Sequence, residues 1–145
     1  KPARIRNPLS TRPWQPVLDP IRGYLTYAEM LMRSSEPIPP TLNFGPSADQ
    51  VVPVQQIVDA ATKIWSDVSG TSCTFTLDAT DESPGEATTL ALDSSRAKTT
   101  LGWSNLLDWH YALSMTLSWY YQYNQGMTVE TLIREQIDEY SAITG

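Results

Sequence analysis

Ile21, Tyr24, Leu25, Ala28, Leu31 and Met32 recur at three- and four-residue intervals, the spacing that lines one face of a helix. Asp19 and Pro20 stand just ahead of them, an acceptor side chain followed by a residue with preset φ. They read as the N-cap and first helical residue. The prolines of PIPP, residues 37–40, close that helix, and the apolar run at 42–44 predicts a short strand ending at Gly45 and Pro46. Val54, Ile57, Val58, Ala61, Ile64 and Trp65 form a second helical stripe, whereas Cys73, Phe75 and Leu77 alternate with threonines as a half-buried strand does. A turn-rich stretch, DESPGE at 81–86, comes next. Leu90 and Leu92 suggest another strand, Ser94 or Ser95 could cap a short helix ending near Gly102, and two longer helices are expected over about 106–124 and 129–143.

The chain's first twenty residues fit none of these periods. RNPLSTRPWQPVLDP, residues 6–20, holds four prolines, each of which removes a backbone donor and fixes φ. Only short extended pieces at the edge of a larger structure are compatible with it. Short strands among helices make the fold class mixed α/β, with too few strands for a complete doubly wound sheet.

At 145 residues and 41% hydrophobic content the chain has the length of one domain, expected over 1–145. A domain of this size buries roughly 70% of its unfolded surface, enough for a single core. No apolar run reaches the ~18 residues of a membrane span and no signal-peptide pattern is present, so a soluble protein is expected. One cysteine, Cys73, excludes an internal disulfide, and with one histidine it cannot complete a usual zinc site.

The net charge of −6 argues against nucleic acid or an acidic membrane surface as partner. Its distribution is uneven. Lys1, Arg4, Arg6, Arg12 and Arg22 face only Asp19 within the first 22 residues, a local +4 that leaves −10 for the remainder. This is either an ordinary charged terminus or an anion site, since the planar fork of arginine suits phosphate.

Several kinds of chemistry are missing. The seven glycines lie too far apart for Gly-x-Gly-x-x-Gly or a phosphate-binding loop, and no tyrosine has a lysine four residues later. There is no Gly-x-Ser-x-Gly elbow, and His110, between Trp109 and Tyr111 on an expected helix, reads as a packed or surface residue.

An ordered set of short motifs carries a resemblance. IRNP at 5–8, RPWQ at 12–15, VL-x-P at 17–20, GYL at 23–25, NFGP at 43–46, Trp65, P-x-EA at 84–87, LD-x-S-x-A at 92–97, LGW at 101–103 and T-x-x-WY at 116–120 follow one another along nearly the whole chain. Together they resemble the C-terminal, substrate-binding part of CDP-glucose 4,6-dehydratases, cytoplasmic bacterial enzymes of deoxysugar and O-antigen biosynthesis in the extended short-chain dehydrogenase/reductase superfamily. The family pattern usually has histidine where Pro16 stands. Its turn reads His-Pro-His-Glu-Ala-His-Tyr, where this chain has Ser83, Pro84, Gly85, Glu86, Ala87, Thr88 and Thr89.

The resemblance implies a lobe that binds CDP-glucose beside a separate N-terminal Rossmann domain, which would carry NAD and the catalytic residues. The enzyme as a whole would form CDP-4-keto-6-deoxyglucose. It implies no catalytic residue and no metal ligand in this chain. Arg12 matches an arginine expected on the pyrophosphate, with Gln15 nearby as a further candidate. Glu86 matches a glutamate expected on the ribose hydroxyls, or is a plain turn carboxylate. Asn43 offers a polar contact to the substrate or serves the backbone at a strand end, and Trp14 either stacks on a ligand or fills the core. A related NAD(P)-dependent epimerase or reductase, or a non-catalytic binding module, remains the alternative, and a homo-oligomer is possible. Apolar surface for the absent domain is expected near Ile5, Pro8 and Trp14.

Overall fold

The computed structural model describes residues 2–77 and 87–144. The short extended pieces expected of the opening stretch appear as strands in two small sheets. Strand β1, Ala3–Ile5, pairs in parallel with β4, Phe75–Leu77, Ala3 opposite Phe75. Strand β2, Thr11–Pro13, runs antiparallel to β3, Val51–Pro53, Thr11 opposite Pro53. On its other side Thr11 forms a bridge to Thr89, with Thr11 N donating to the Thr88 carbonyl at 2.9 Å. The proline-rich entry therefore supplies strands of three residues each, the length at which missing donors do least harm.

Five helices surround these strands among the described residues: α1, Leu18–Arg33; α2, Val54–Ser69; α3, Ser95–Leu101; α4, Trp109–Asn124; and α5, Val129–Thr144. The fold is mixed α/β, mostly helical with short strands. Helix α1 begins one residue earlier than Asp19, with Val17 at the cap position and no side-chain cap; Pro20 falls within the first turn, where its missing N–H is an orphan anyway. Asp19 is therefore not a cap. It is fully buried and bonded elsewhere.

Other caps are also displaced from the obvious residue. At α3, Ser94 occupies the cap position but donates its hydroxyl to the Gly45 carbonyl at 2.9 Å. Asp93 Oδ1 instead accepts from Ser95 N at 2.9 Å, and this bond holds the Asp93 carboxyl below its ordinary pKa. Asp108 caps α4 by accepting from Tyr111 N at 2.7 Å. Residues 42–44 and 90–92 form no strand; the second run makes only an edge contact with β2, Leu90 N donating to the Thr11 carbonyl at 3.3 Å beside the Thr11–Thr89 bridge.

The central cluster gathers Phe44, Ala97 and Trp103, flanked by Tyr27, Leu42 and Leu101. The Phe44 ring meets Trp103 edge-on at 5.1 Å and Tyr24 at 5.3 Å. It can approach α1 this closely only because residue 23 is glycine. A Cβ at Gly23 would lie 2.4 Å from the ring. The second packed region lies between α2 and α4, where Ile57, Ile64 and Ala112 are buried and Trp65 meets Tyr121 edge-on at 6.3 Å. Leu132, 1% exposed, seats α5.

No helix is long and apolar enough to cross a membrane among the described residues. Ile5, Pro8 and Trp14 are half-buried rather than forming an open apolar face, since Trp14 turns inward to donate Nε1 to the Val52 carbonyl at 3.1 Å. Leu9 beside them is exposed, and further exposed apolar side chains, Val17 at the cap of α1, Ile21 and Leu25 on α1, and Ile133 and Ile137 on α5, border a groove of about 530 Å3.

Candidate functional site

Arg12 lies on β2 opposite Val52, half-buried. Its Nη1 donates to the Thr11 carbonyl at 2.8 Å and to the Ala87 carbonyl at 3.1 Å. The guanidinium is thus tied to its own strand and to the Ala87 carbonyl. Glu86 itself lies outside the described residues. Asn43 is exposed and donates Nδ2 to the Asp93 carbonyl at 3.2 Å, tying the 43–46 segment to the approach of α3. Gln15 grips the same segment from the other side, Nε2 donating to the Phe44 carbonyl at 3.0 Å.

Arg12 and Asn43 are therefore two cationic or polar groups at the borders of segments 87–94 and 43–46, both donating to backbone carbonyls. Both act as hydrogen-bond donors here, and neither is a nucleophile with an adjacent base. Gln15 does not share the Arg12 edge. It lines a cleft with Trp14 and Trp109 between α2 and α4.

A third polar cluster was not legible as such. Asp19 Oδ1 accepts from Tyr140 OH at 2.6 Å and from Leu106 N at 3.1 Å, and its carbonyl accepts from Trp103 Nε1 at 3.2 Å. Arg22 Nε donates to Tyr140 OH at 3.0 Å, its Nη2 donates to the Ser104 carbonyl, and its guanidinium carbon stands 5.9 Å from the Trp103 ring centroid. Burial, followed by the hydrogen bond to Asp19, pushes the Tyr140 phenol up to about 12. The available signal was the i, i+3 spacing of Asp19 and Arg22, which puts both on one face of α1.

No glycine grouping among the described residues fits NAD. A pyrophosphate cradle needs glycines that let backbone N–H groups approach the ligand at a helix start. Among the described residues, Gly23 and Gly45 are packed against Phe44 and Leu92, while Gly70 and Gly102 terminate α2 and α3 with φ of +68° and +65°. Gly126, φ +95°, follows α4. None opens a helix.

The sequence matches no family model. Across 140 residues, 97% of this chain, it is 32% identical to CDP-glucose 4,6-dehydratase of Salmonella typhimurium. The chain is homologous to part of a CDP-glucose 4,6-dehydratase. It spans 38% of that dehydratase's length. Two solved structures of UDP-glucuronic acid 4-epimerase from Bacillus cereus share the fold. One, a variant in complex with UDP-4-deoxy-4-fluoro-glucuronic acid and NAD, superposes with a TM-score of 0.58 and 24% identity, over 79% of this chain and 33% of the epimerase. The other, with UDP-glucuronic acid and NAD, gives 0.57 and 23% over 78% and 33%. The likeness to the dehydratase covers the Arg-Pro-Trp-Gln stretch and both helical regions, since only a few residues of the chain fall outside it.

Proposed function

We propose that this chain is the nucleotide-sugar-binding part of a CDP-glucose 4,6-dehydratase-like enzyme, one that converts CDP-glucose to CDP-4-keto-6-deoxyglucose. The observation that carries this reading is the 32% identity to the Salmonella dehydratase, sustained over 97% of the chain. In this reading Arg12 meets the pyrophosphate, Glu86 the ribose hydroxyls and Asn43 a further polar group of the substrate. Gln15, turned to the Phe44 carbonyl, supports the wall behind them.

The contribution is binding rather than proton transfer. Contacts to the nucleotide, remote from the reacting sugar, hold the substrate in register, and such binding energy is what lowers the barrier at the reacting centre. NAD is assigned to polypeptide beyond these residues, because the described glycines offer it no cradle. That N-terminal Rossmann lobe would rest on the apolar face of α1, where Val17 and Leu25 are each 68% exposed.

The fold shared with the epimerases favours a second reading, binding of a uridine-linked sugar in a related epimerase. A calorimetric titration separates the two. CDP-glucose binding saturably, with UDP-glucuronic acid at least tenfold weaker, supports the dehydratase reading; the reverse order supports the epimerase. Incubation of the chain alone with NAD and CDP-glucose is expected to yield no 4-keto-6-deoxy product, and turnover would overturn the assignment of this chain to binding alone.

A further inference from the structure

We infer that the groove between α4 and α5 binds a single uncharged pyranose ring, with Trp119 meeting its C–H groups and Ser114, Ser118, Gln122, Glu135 and Glu139 its hydroxyls. These six residues line a groove of about 150 Å3.

The two helices run antiparallel: Tyr111 near the start of α4 donates its hydroxyl to Glu139 near the end of α5, and one turn further along Gln136 Nε2 donates to the Met115 carbonyl at 3.1 Å. A helix pair ordinarily closes such a seam with interdigitated side chains. Here Leu132 is the one buried residue among those lining the groove, while Tyr111, Glu135 and Glu139 are exposed, so the groove opens to solvent.

Its polar groups are uncommitted. Thr26, Thr62, Ser69 and Thr116 each turn the hydroxyl back onto the carbonyl four residues earlier. Ser114 and Ser118, on either side of Thr116, make no such bond, and Gln122 and Glu135 make no side-chain hydrogen bond among the described residues. Glu139 uses one carboxylate oxygen, on Tyr111.

These groups select the ligand. Serine hydroxyls and the Gln122 amide both donate and accept, and the carboxylates accept only. A ring bearing several neighbouring hydroxyls matches that mixture. A phosphate meets two carboxylates and no lysine or arginine among the described residues lining the groove. An aliphatic ring would displace water from the polar groups without replacing its hydrogen bonds. An ammonium brings donors only, leaving the serine hydroxyls and the Gln122 amide without an acceptor. The indole supplies the apolar half of the site, and it is already fixed by stacking on Tyr123, centroids 5.3 Å apart at 14°, which lowers the ordering cost of binding. A cavity of about 150 Å3 accommodates benzene, so a groove of this volume seats one ring rather than an oligosaccharide.

Methyl glucoside and methyl galactoside, uncharged pyranoses that differ at one hydroxyl, test this on the 145-residue chain. At least one of them is expected to shift the indole N–H resonance of Trp119 saturably, leaving those of Trp14 and Trp103 in place. Glu135→Ala should weaken that binding about tenfold, and its melting temperature should match that of the parent chain, since Glu135 is exposed and has no side-chain partner among the described residues. Cyclohexanol, ethylammonium and cytidine monophosphate should leave Trp119 in place. Should the variant fail to fold, the ligand series on the unaltered chain still decides. No saturable shift with either glycoside, equal binding by Glu135→Ala, or an equal response to cyclohexanol or ethylammonium would overturn the proposal. So would a shift of Trp119 by cytidine monophosphate, which would merge this groove with the nucleotide site. Because the glycosides carry no nucleotide, failure of the dehydratase reading leaves this result unaffected.

Discussion

Arg12 and Arg22 come from the same positively charged opening stretch, yet one stands at an edge and the other inside a closed network. Arg22 spends its donors on Tyr140 OH and the Ser104 carbonyl and lies over Trp103, beside a fully buried Asp19. Arg12 is held to two backbone carbonyls at the rim of the 87–90 segment. A cluster of cations in the sequence therefore divides into two roles once the chain folds. The inner arginine ties α1 to α5 and to the loop at 103–106; the outer one is tied to the edge of β2 and to the Ala87 carbonyl, and is the one proposed above to meet the pyrophosphate.

Breaking the inner network should have the largest effect. Asp19→Ala leaves Tyr140 OH and Leu106 N–H without their acceptor in the interior, and a loss of about 3–5 kcal/mol is expected in denaturant unfolding. A loss below about 1 kcal/mol would mean that the carboxyl is not holding these elements together.

Tyr140→Phe is milder, since it deletes one hydroxyl that both donates to Asp19 and accepts from Arg22; about 1–3 kcal/mol is expected. It also carries a pH signature. The phenol's ordinary pKa of 10.0 rises to about 12 in the folded chain. Between these values the unfolded state loses the proton while the folded state retains it, so stability falls as pH rises across that interval. The contribution is complete below pH 10 and gone above 12. Melting curves between pH 9 and 12 should show a decline that is shallower in Tyr140→Phe, and parallel declines would assign the effect to other groups.

The positions of the helices were readable because their apolar residues repeat with clear periods, and α1, α2, α4 and α5 lie where those periods put them. The strands were less so. β4, Phe75–Leu77, lies where the alternation of Cys73, Phe75 and Leu77 put it, but the other three-residue strands carry almost no alternation, and β3 was hidden in a Val-Val-Pro run directly before α2. Asp19 was misread because an aspartate before a proline signals a cap locally, whereas its partners, Leu106 and Tyr140, are set by tertiary packing across 87 and 121 residues. For the candidate site, the motif at 12–15 pointed to Arg12 and Gln15 together. In β2 and the turn after it, however, the two side chains leave in different directions, one to Ala87 and one to Phe44.

The smallest stability change should come from the outer arginine. Arg12→Ala removes bonds to carbonyls at a half-exposed edge, and no more than about 1.5 kcal/mol should be lost. Unfolding as severe as that of Asp19→Ala would erase the distinction between the two arginines.

The central claim is that this chain binds a nucleotide sugar through Arg12, and calorimetric titration of CDP-glucose into the chain and into Arg12→Ala tests it directly. A charge-assisted bond to phosphate contributes about 1.5–3 kcal/mol, so the variant should bind roughly ten- to a hundredfold more weakly while its melting temperature stays close to that of the parent chain. Unchanged affinity would remove Arg12 from the site, and no saturable binding of CDP-glucose to either chain would contradict the account.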